Sequence, residues 1–297
     1  MKKKLIVFWT LVLCFVLLVG QPSISTLIYN ANNYDTDSMA ELGGRYYHGE
    51  GVEKDLEESA KWFLKAANKG HILSQYVIGY MYGVGEGVDQ DSSQAFYWVK
   101  KSAENGHENA EGEIAYFYSQ GFGCTKDYVK AAYWYEKAAW RGDKIAEHSM
   151  GYLYLKGYGV GQSNSHAALW FERSVAQEYK DSYMSLARLL YKGEEVTHNY
   201  EEAFRLFKIM AEEEDNDEAQ FNIGMMYLDG TGIESNKVAG FKWIKRAAEQ
   251  SNTDAMYQLS HMYEYGIGVM ADTALANEWE EKADEIAFSW MYMLINR

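Results

Sequence analysis

Apolar and polar positions over residues 74–106 follow two helical rhythms separated by glycines. Ile78, Gly79 and Tyr82 share one face of a first helix. Residues 83–88 form a glycine-rich turn, and Asp91 then opens a second helix. That helix places Ala95, Trp98, Ser102 and Ala103 on one stripe and stops at Gly106. Each stripe is too apolar to face water, so the hairpin needs neighbours.

The rest of the chain supplies them by rewriting the same hairpin. The tryptophan returns as Trp62, Trp98, Trp134, Trp170, Trp243 and Trp279, with Leu206 in the slot the series skips. A first-helix column runs Tyr46, Tyr82, Tyr118, Tyr154, Leu190, Tyr227 and Tyr263, and a turn column runs Gly49, Gly85, Gly121, Gly157, Gly193, Gly230 and Gly266. Every step is 36 residues except one of 37 in the fifth interval. The second helices start after Asp55, Asp91, Asp127, Ser163, Asn199, Asn236 and Asp272. All are N-cap types, each contributing ~1 kcal/mol over alanine.

The shared pattern, A-x3-[LI]-G-x2-Y-x2-G-x-G-V-x2-D-x3-A-x2-W-x3-A-A-x2-G, closely resembles the Sel1-like repeat family, relatives of the tetratricopeptide repeats. The resemblance covers residues 38–284 as seven units: 38–73, 74–109, 110–145, 146–181, 182–218, 219–254 and 255–284. It implies an all-α protein, an α-solenoid with a right-handed superhelix and first helices lining its concave side. It also implies protein–protein interaction, often in bacterial envelope or signalling settings. Some members carry a disulfide in every repeat, which this sequence does not.

Outside the repeats the pattern changes. Lys2, Lys3 and Lys4 precede an apolar run over residues 5–20, and the one proline, Pro22, follows. Residues 1–25 therefore read as a secretory signal with cleavage before Thr26, or alternatively as an uncleaved N-terminal membrane anchor. The first places the repeats in the periplasm or outside the cell. The second holds them on the inner membrane, facing the periplasm. Residues 26–37 read as a polar linker. Residues 285–297 read as a longer final helix or a C-terminal capping helix, with an amphipathic membrane or partner anchor bearing Trp290 and Tyr292 as the alternative. The fifth repeat is the most divergent, with Ala187, Leu190, Glu195, Leu206 and Glu214 at column positions. An acidic run over residues 212–218 follows it and reads as a solvated connection.

Charge and chemistry narrow the function. The chain has 28 basic and 43 acidic side chains, net −15, and the leader's only charges are its three lysines. Such a body repels phosphate backbones, which argues against a nucleic-acid partner. Cys14 lies in the leader and Cys124 stands alone in a column of five valines and Ile233, as a small buried hydrophobe without a disulfide. No HExxH, GxSxG or Walker sequence occurs, and the histidines share no metal-binding spacing. His71 and His107 occupy one slot just past a helix end, where they can answer the helix dipole. No enzyme, metal or cofactor is expected.

A candidate surface comes from the first helices. Counting from each repeat's first residue, positions 1, 5, 8, 9 and 12 form the buried stripe, while 3, 7 and 10 point away. The away-facing positions hold Tyr76, Tyr80, Tyr116, Tyr152, Tyr191, Phe221 and Tyr257, with His148, Met184, Leu155, Met225 and Leu228 interleaved. Arg188, Glu41 and Glu113 lie on or beside this face. An aromatic stripe there suits a protein or peptide ligand in the concave groove. Sideways packing between neighbouring first helices is the competing account. The expected function is an exported interaction scaffold. Alternatives are an immunity protein that neutralises a delivered toxin, or an envelope hydrolase of the β-lactamase-like kind.

Overall fold

The computed structural model describes residues 22–295, and those residues form fifteen helices and no strand. Packing divides the chain into two compact units, Met1–Arg141 and Gly142–Arg297. The first holds α1 (Ile24–Asn32), α2 (Thr36–His48), α3 (Leu56–Asn68), α4 (Ile72–Val84), α5 (Ser92–Glu104), α6 (Glu108–Gln120) and α7 (Tyr128–Trp140). The second holds α8 (Lys144–Lys156), α9 (Asn164–Ala176), α10 (Asp181–Lys192), α11 (Tyr200–Glu213), α12 (Asp217–Asp229), α13 (Lys237–Glu249), α14 (Thr253–Tyr265) and α15 (Thr273–Ile295). From α2 onward, even-numbered helices are the first helices of repeats and odd-numbered ones the second.

The capping residues make the boundaries. Asp55, Asp127 and Asn236 accept hydrogen bonds from Glu58 N, Lys130 N and Ala239 N at 2.9–3.0 Å. First helices begin one or two residues ahead of the sequence-read boundaries, because their own caps lie further upstream: Asp35, His71, His107, Asp143, Asn216 and Asn252. His71 and His107 thus act differently from the sequence reading. Each Nδ1 accepts from the backbone N–H three residues on, at 3.1 and 3.3 Å, so the neutral ring caps the next helix.

Within a hairpin the helices approach closely. A Cβ at Gly79 would lie 2.7 Å from Val99 Cγ2, so glycine there lets α4 settle onto α5. Between hairpins, Ala60, Phe63 and Ala67 of α3 pack with Ile78 and Met81 of α4. In the second unit Phe207 and Ala211 of α11 pack with Ile223 and Met226 of α12 in the same way. Buried aromatics of this kind cost ~3–5 kcal/mol when truncated to alanine.

The linker reading of residues 26–37 fails, because α1 fills most of that stretch. Leu27 and Ala31 are 2 % exposed and pack on Met39 and Leu42 of α2. They stand 36 residues before Phe63 and Ala67, so α1 occupies the second-helix place of a further half-repeat. Its closing residue, Tyr34, has φ +73°, and the same left-handed slot recurs at Gly70, Gly106, Gly142, Glu178, Asp215 and Ser251. The polar composition that hid this helix has a purpose. Thr26 and Asn30 stand where Trp62 and Ala66 stand one period later, giving α1 a wettable outer face.

The carboxyl end is finished by the same device. Of the two readings for the end of the chain, the longer final helix holds and the separate capping helix over 285–297 does not, since α15 runs unbroken from Thr273 to Ile295. The column that holds Ala60, Phe63 and Ala67 in the first repeat holds Asn277, Glu280 and Asp284 in α15, all three exposed. These polar and charged side chains, and not an added helix, give the last repeat a wettable face.

The fifth repeat keeps its fold despite its substitutions. Glu195 adopts φ +60° in a turn-glycine column, and its carboxylate accepts from Asn164 N at 2.9 Å. The acidic run is exposed over 212–215, half-buried over 216–218, and tied down: Asp215 meets Arg246 at 2.5 Å, and Asp217 accepts from Asn252 at 2.9 Å. Cys124 is half-buried, and burial pushes its thiol pKa up. No helix among the described residues is long and apolar enough to cross a membrane. Residues 1–21 of the leader and the side chains of Trp290 and Tyr292 lie outside what is described.

Candidate functional site

The away-facing first-helix positions divide by register. Position 3 reaches the following repeat. Tyr76 stacks on His107 with ring centres 4.6 Å apart, and its burial raises the phenol pKa, with Glu113 adding to the shift. His148 Nδ1 lies 2.9 Å from Ser182 Oγ and its ring sits between Phe171 and Tyr179. Burial holds that imidazole below the usual histidine range. Met184 is 8 % exposed and belongs to the core. Phe221 packs against the core that contains Ile244 and Leu259. Tyr257 Oη donates to Asp284 Oδ1 at 2.7 Å. Sideways packing therefore takes most of this register, because a residue two places into a first helix meets the adjacent hairpin.

Position 7 is more open. Tyr80 is half-buried beside Tyr47, whose hydroxyl donates to Glu86 at 2.7 Å. Tyr116 in the first unit is 45 % exposed, and Tyr152 in the second is 44 % exposed. Tyr152 lies edge-on to Tyr158 at 6.2 Å, with Lys156 over its ring. Arg188 is exposed and forms a two-point pair with Glu218, its Nε 2.6 Å from Oε1. Position 10 is mixed, with Tyr191 half-buried against Tyr200 and Phe207. Each unit thus presents open tyrosine or arginine from position 7, flanked by tyrosines already engaged.

Two arrangements were missed from the sequence. The first is position 2, which holds Gln75, Glu111, Glu147 and Gln220, none more than 2 % exposed. Each bonds the residue 30 places later: Asn105, Arg141, Gln177 and Gln250. Polar residue types concealed these buried positions, and only the repeated 30-residue spacing could have exposed them. The second is a cation three residues after the tryptophan. Lys65, Lys101, Lys137, Arg173, Arg246 and Lys282 lie over Trp62, Trp98, Trp134, Trp170, Trp243 and Trp279. Second helices also expose Tyr97, Tyr133 and Leu169 at one shared register. No group of three or more metal-ligating side chains converges among the described residues.

This architecture, helical hairpins repeating every 36 residues and stacked through their second helices, defines an α-solenoid scaffold. The Sel1 repeat family matches it seven times, at residues 36–71, 72–107, 109–143, 144–179, 180–215, 217–252 and 253–283, and the chain belongs to that family. Among solved structures it is similar to a protective antigen of uropathogenic Escherichia coli that displays this fold, with 29 % identity and a TM-score of 0.68. That match covers 89 % of this chain but 56 % of the antigen. It is also similar to a Sel1 repeat protein of Oxalobacter formigenes, with 31 % identity, a TM-score of 0.62, and coverage of 91 % and 79 %. No curated protein matches the chain.

Proposed function

We propose that this protein is an exported, non-catalytic scaffold that holds a protein or peptide partner on its first-helix face. The observation that carries the reading is the exposure of Tyr116 and Tyr152, equivalent residues of the two units, each with over two-fifths of its surface open. A large ring left accessible among engaged neighbours is the type of residue that anchors a partner. Arg188 and Glu218 form an exposed ion pair on the same class of helix, suited to selecting a partner's charge. The proposal of export rests on the lysines and apolar run of the leader.

The test is affinity capture from an envelope extract with wild-type protein and with Tyr80→Ala/Tyr116→Ala/Tyr152→Ala. Loss of at least tenfold in recovered partner, with helicity unchanged by circular dichroism, supports the reading. Equal recovery by a folded triple variant removes this face as the binding surface.

A further inference from the structure

The first repeat lacks an acceptor that the second, third, fourth and sixth repeats provide for themselves. Glu111 is fully buried; its carboxylate pairs with Lys137 Nζ at 2.7 Å and with Arg141 Nε at 3.0 Å, and its Oε1 accepts from Arg141 Nη2 at 3.3 Å. One repeat on, Glu147 receives Arg173 at 2.9 Å and Gln177 at 2.7 Å. Two periods before Lys137 and Arg141 stand Lys65 and Lys69, and two periods before Glu111 stands Met39. Both donors are present and the carboxylate is replaced by a thioether.

Where α1 meets the end of α3, Lys65 lies over the Trp62 ring at 3.8 Å, as the equivalent cation does in other repeats, and Lys69 lies over the Tyr34 ring at 4.3 Å. An open cleft of about 490 Å³ lies between them, with Met39 and Asn68 in its walls and no acidic residue lining it. The buried indole N–H of Trp62, in the same wall, has no acceptor either. In a chain of net charge −15, a cleft of donors without a carboxylate is out of character with its surroundings.

We propose that this cleft binds a carboxylate of an acidic peptide segment, which from the open side supplies Lys65 and Lys69 with the charge that Glu111 supplies to the equivalent cations in the third repeat. The internal precedent is a carboxylate on the same pair of cation positions, which is why an acidic side chain is the assigned occupant. The aromatic faces of Trp62 and Tyr34 hold the ammonium groups at the rim, and an incoming carboxylate draws them inward. This site is separate from the first-helix tyrosines and does not depend on them.

Titration calorimetry with the full chain at low ionic strength, where exposed charge pairs are least screened, tests the assignment. The probes are a blocked Asp-Glu-Asp-Glu peptide, its Asn-Gln-Asn-Gln counterpart and inorganic phosphate. The acidic peptide is expected to bind, the amide peptide to give no heat, and phosphate not to displace the acidic peptide at equal concentration. Lys65→Met/Lys69→Met is expected to weaken binding at least tenfold. Met39→Glu, which restores the internal carboxylate, is expected to abolish peptide binding without lowering the thermal midpoint. Tyr80→Ala/Tyr116→Ala is expected to leave it unchanged, which separates this site from the scaffold face. Binding that survives Met39→Glu, equal binding of the amide peptide, or displacement by phosphate overturns the proposal. Should the double lysine variant fail to fold, the Met39→Glu arm decides.

Discussion

Glu111 lies 2.7 Å from Lys137 and 3.0 Å from Arg141, and the two sides of this contact are unequally buried. The carboxylate is sealed, while the cations are 37 % and 42 % exposed. Removing the acid and removing the bases should therefore differ. Glu111→Gln leaves cations that can turn to water, and an expected loss of about 1–2 kcal/mol follows from the lost charge-assisted bonds. Lys137→Met/Arg141→Met strands a buried carboxylate, with an expected cost of about 3–5 kcal/mol. Urea unfolding of both variants at neutral pH checks the order. If the acid variant is the less stable, this account of the joint is wrong.

Stability should fall on mild acidification because of the two capping imidazoles. Burial lowers the pKa of His71 and His107, outweighing the opposite pull of Asp37 on the first and of Glu108 and Glu111 on the second. The folded value lies below the unfolded value of ~6.5, so the unfolded chain takes up protons first. The capping contribution is complete above ~6.5 and is lost as pH drops through the folded values. Melting midpoints from pH 8 to pH 5 should decline, and His71→Asn/His107→Asn should show a shallower decline. Parallel curves would place the pH response elsewhere.

Ser251 carries φ +70° in a slot that three earlier repeats fill with glycine. A side chain in this region costs ~1–2 kcal/mol, and glycine's extra freedom in the unfolded chain returns part of it. Ser251→Gly should gain roughly 0.5–1 kcal/mol in chemical denaturation. A loss would mean that the serine makes a compensating contact.

Glu280→Phe/Asp284→Ala restores the apolar column that every interior second helix presents to its neighbour. The variant should stay folded and self-associate, read as a concentration-dependent rise in mass by light scattering. A strictly monomeric product would show that those carboxylates do not guard the end.

The helical hairpins were legible because Trp62, Trp98 and Trp134 are hard to place anywhere but in a core, and their spacing cannot arise by accident. The caps were legible for a similar reason, since Asp91 and Asn236 have few other uses ahead of a helix. What escaped was burial without hydrophobicity. Gln75 and Glu111 look like surface residues until a partner 30 places away is found to hold them. Helix α1 escaped through the reverse error: Thr26 is exposed and Asn30 half-buried in a column that is apolar elsewhere. The tyrosine stripe was found, but its division was not. Whether Tyr76 faces water or His107 depends on where the next hairpin sits, and that offset is set by packing rather than by the helix's own periodicity.

The finished ends, Thr26 and Asn30 on one side and Glu280 and Asp284 on the other, make the number of middle units adjustable. Splicing a second copy of residues 72–107 after residue 107 would join surfaces that already match, and neither terminus would notice the change. Length in such a molecule can be altered by whole modules, each bringing its own tyrosines, while the boundary residues continue to stop growth.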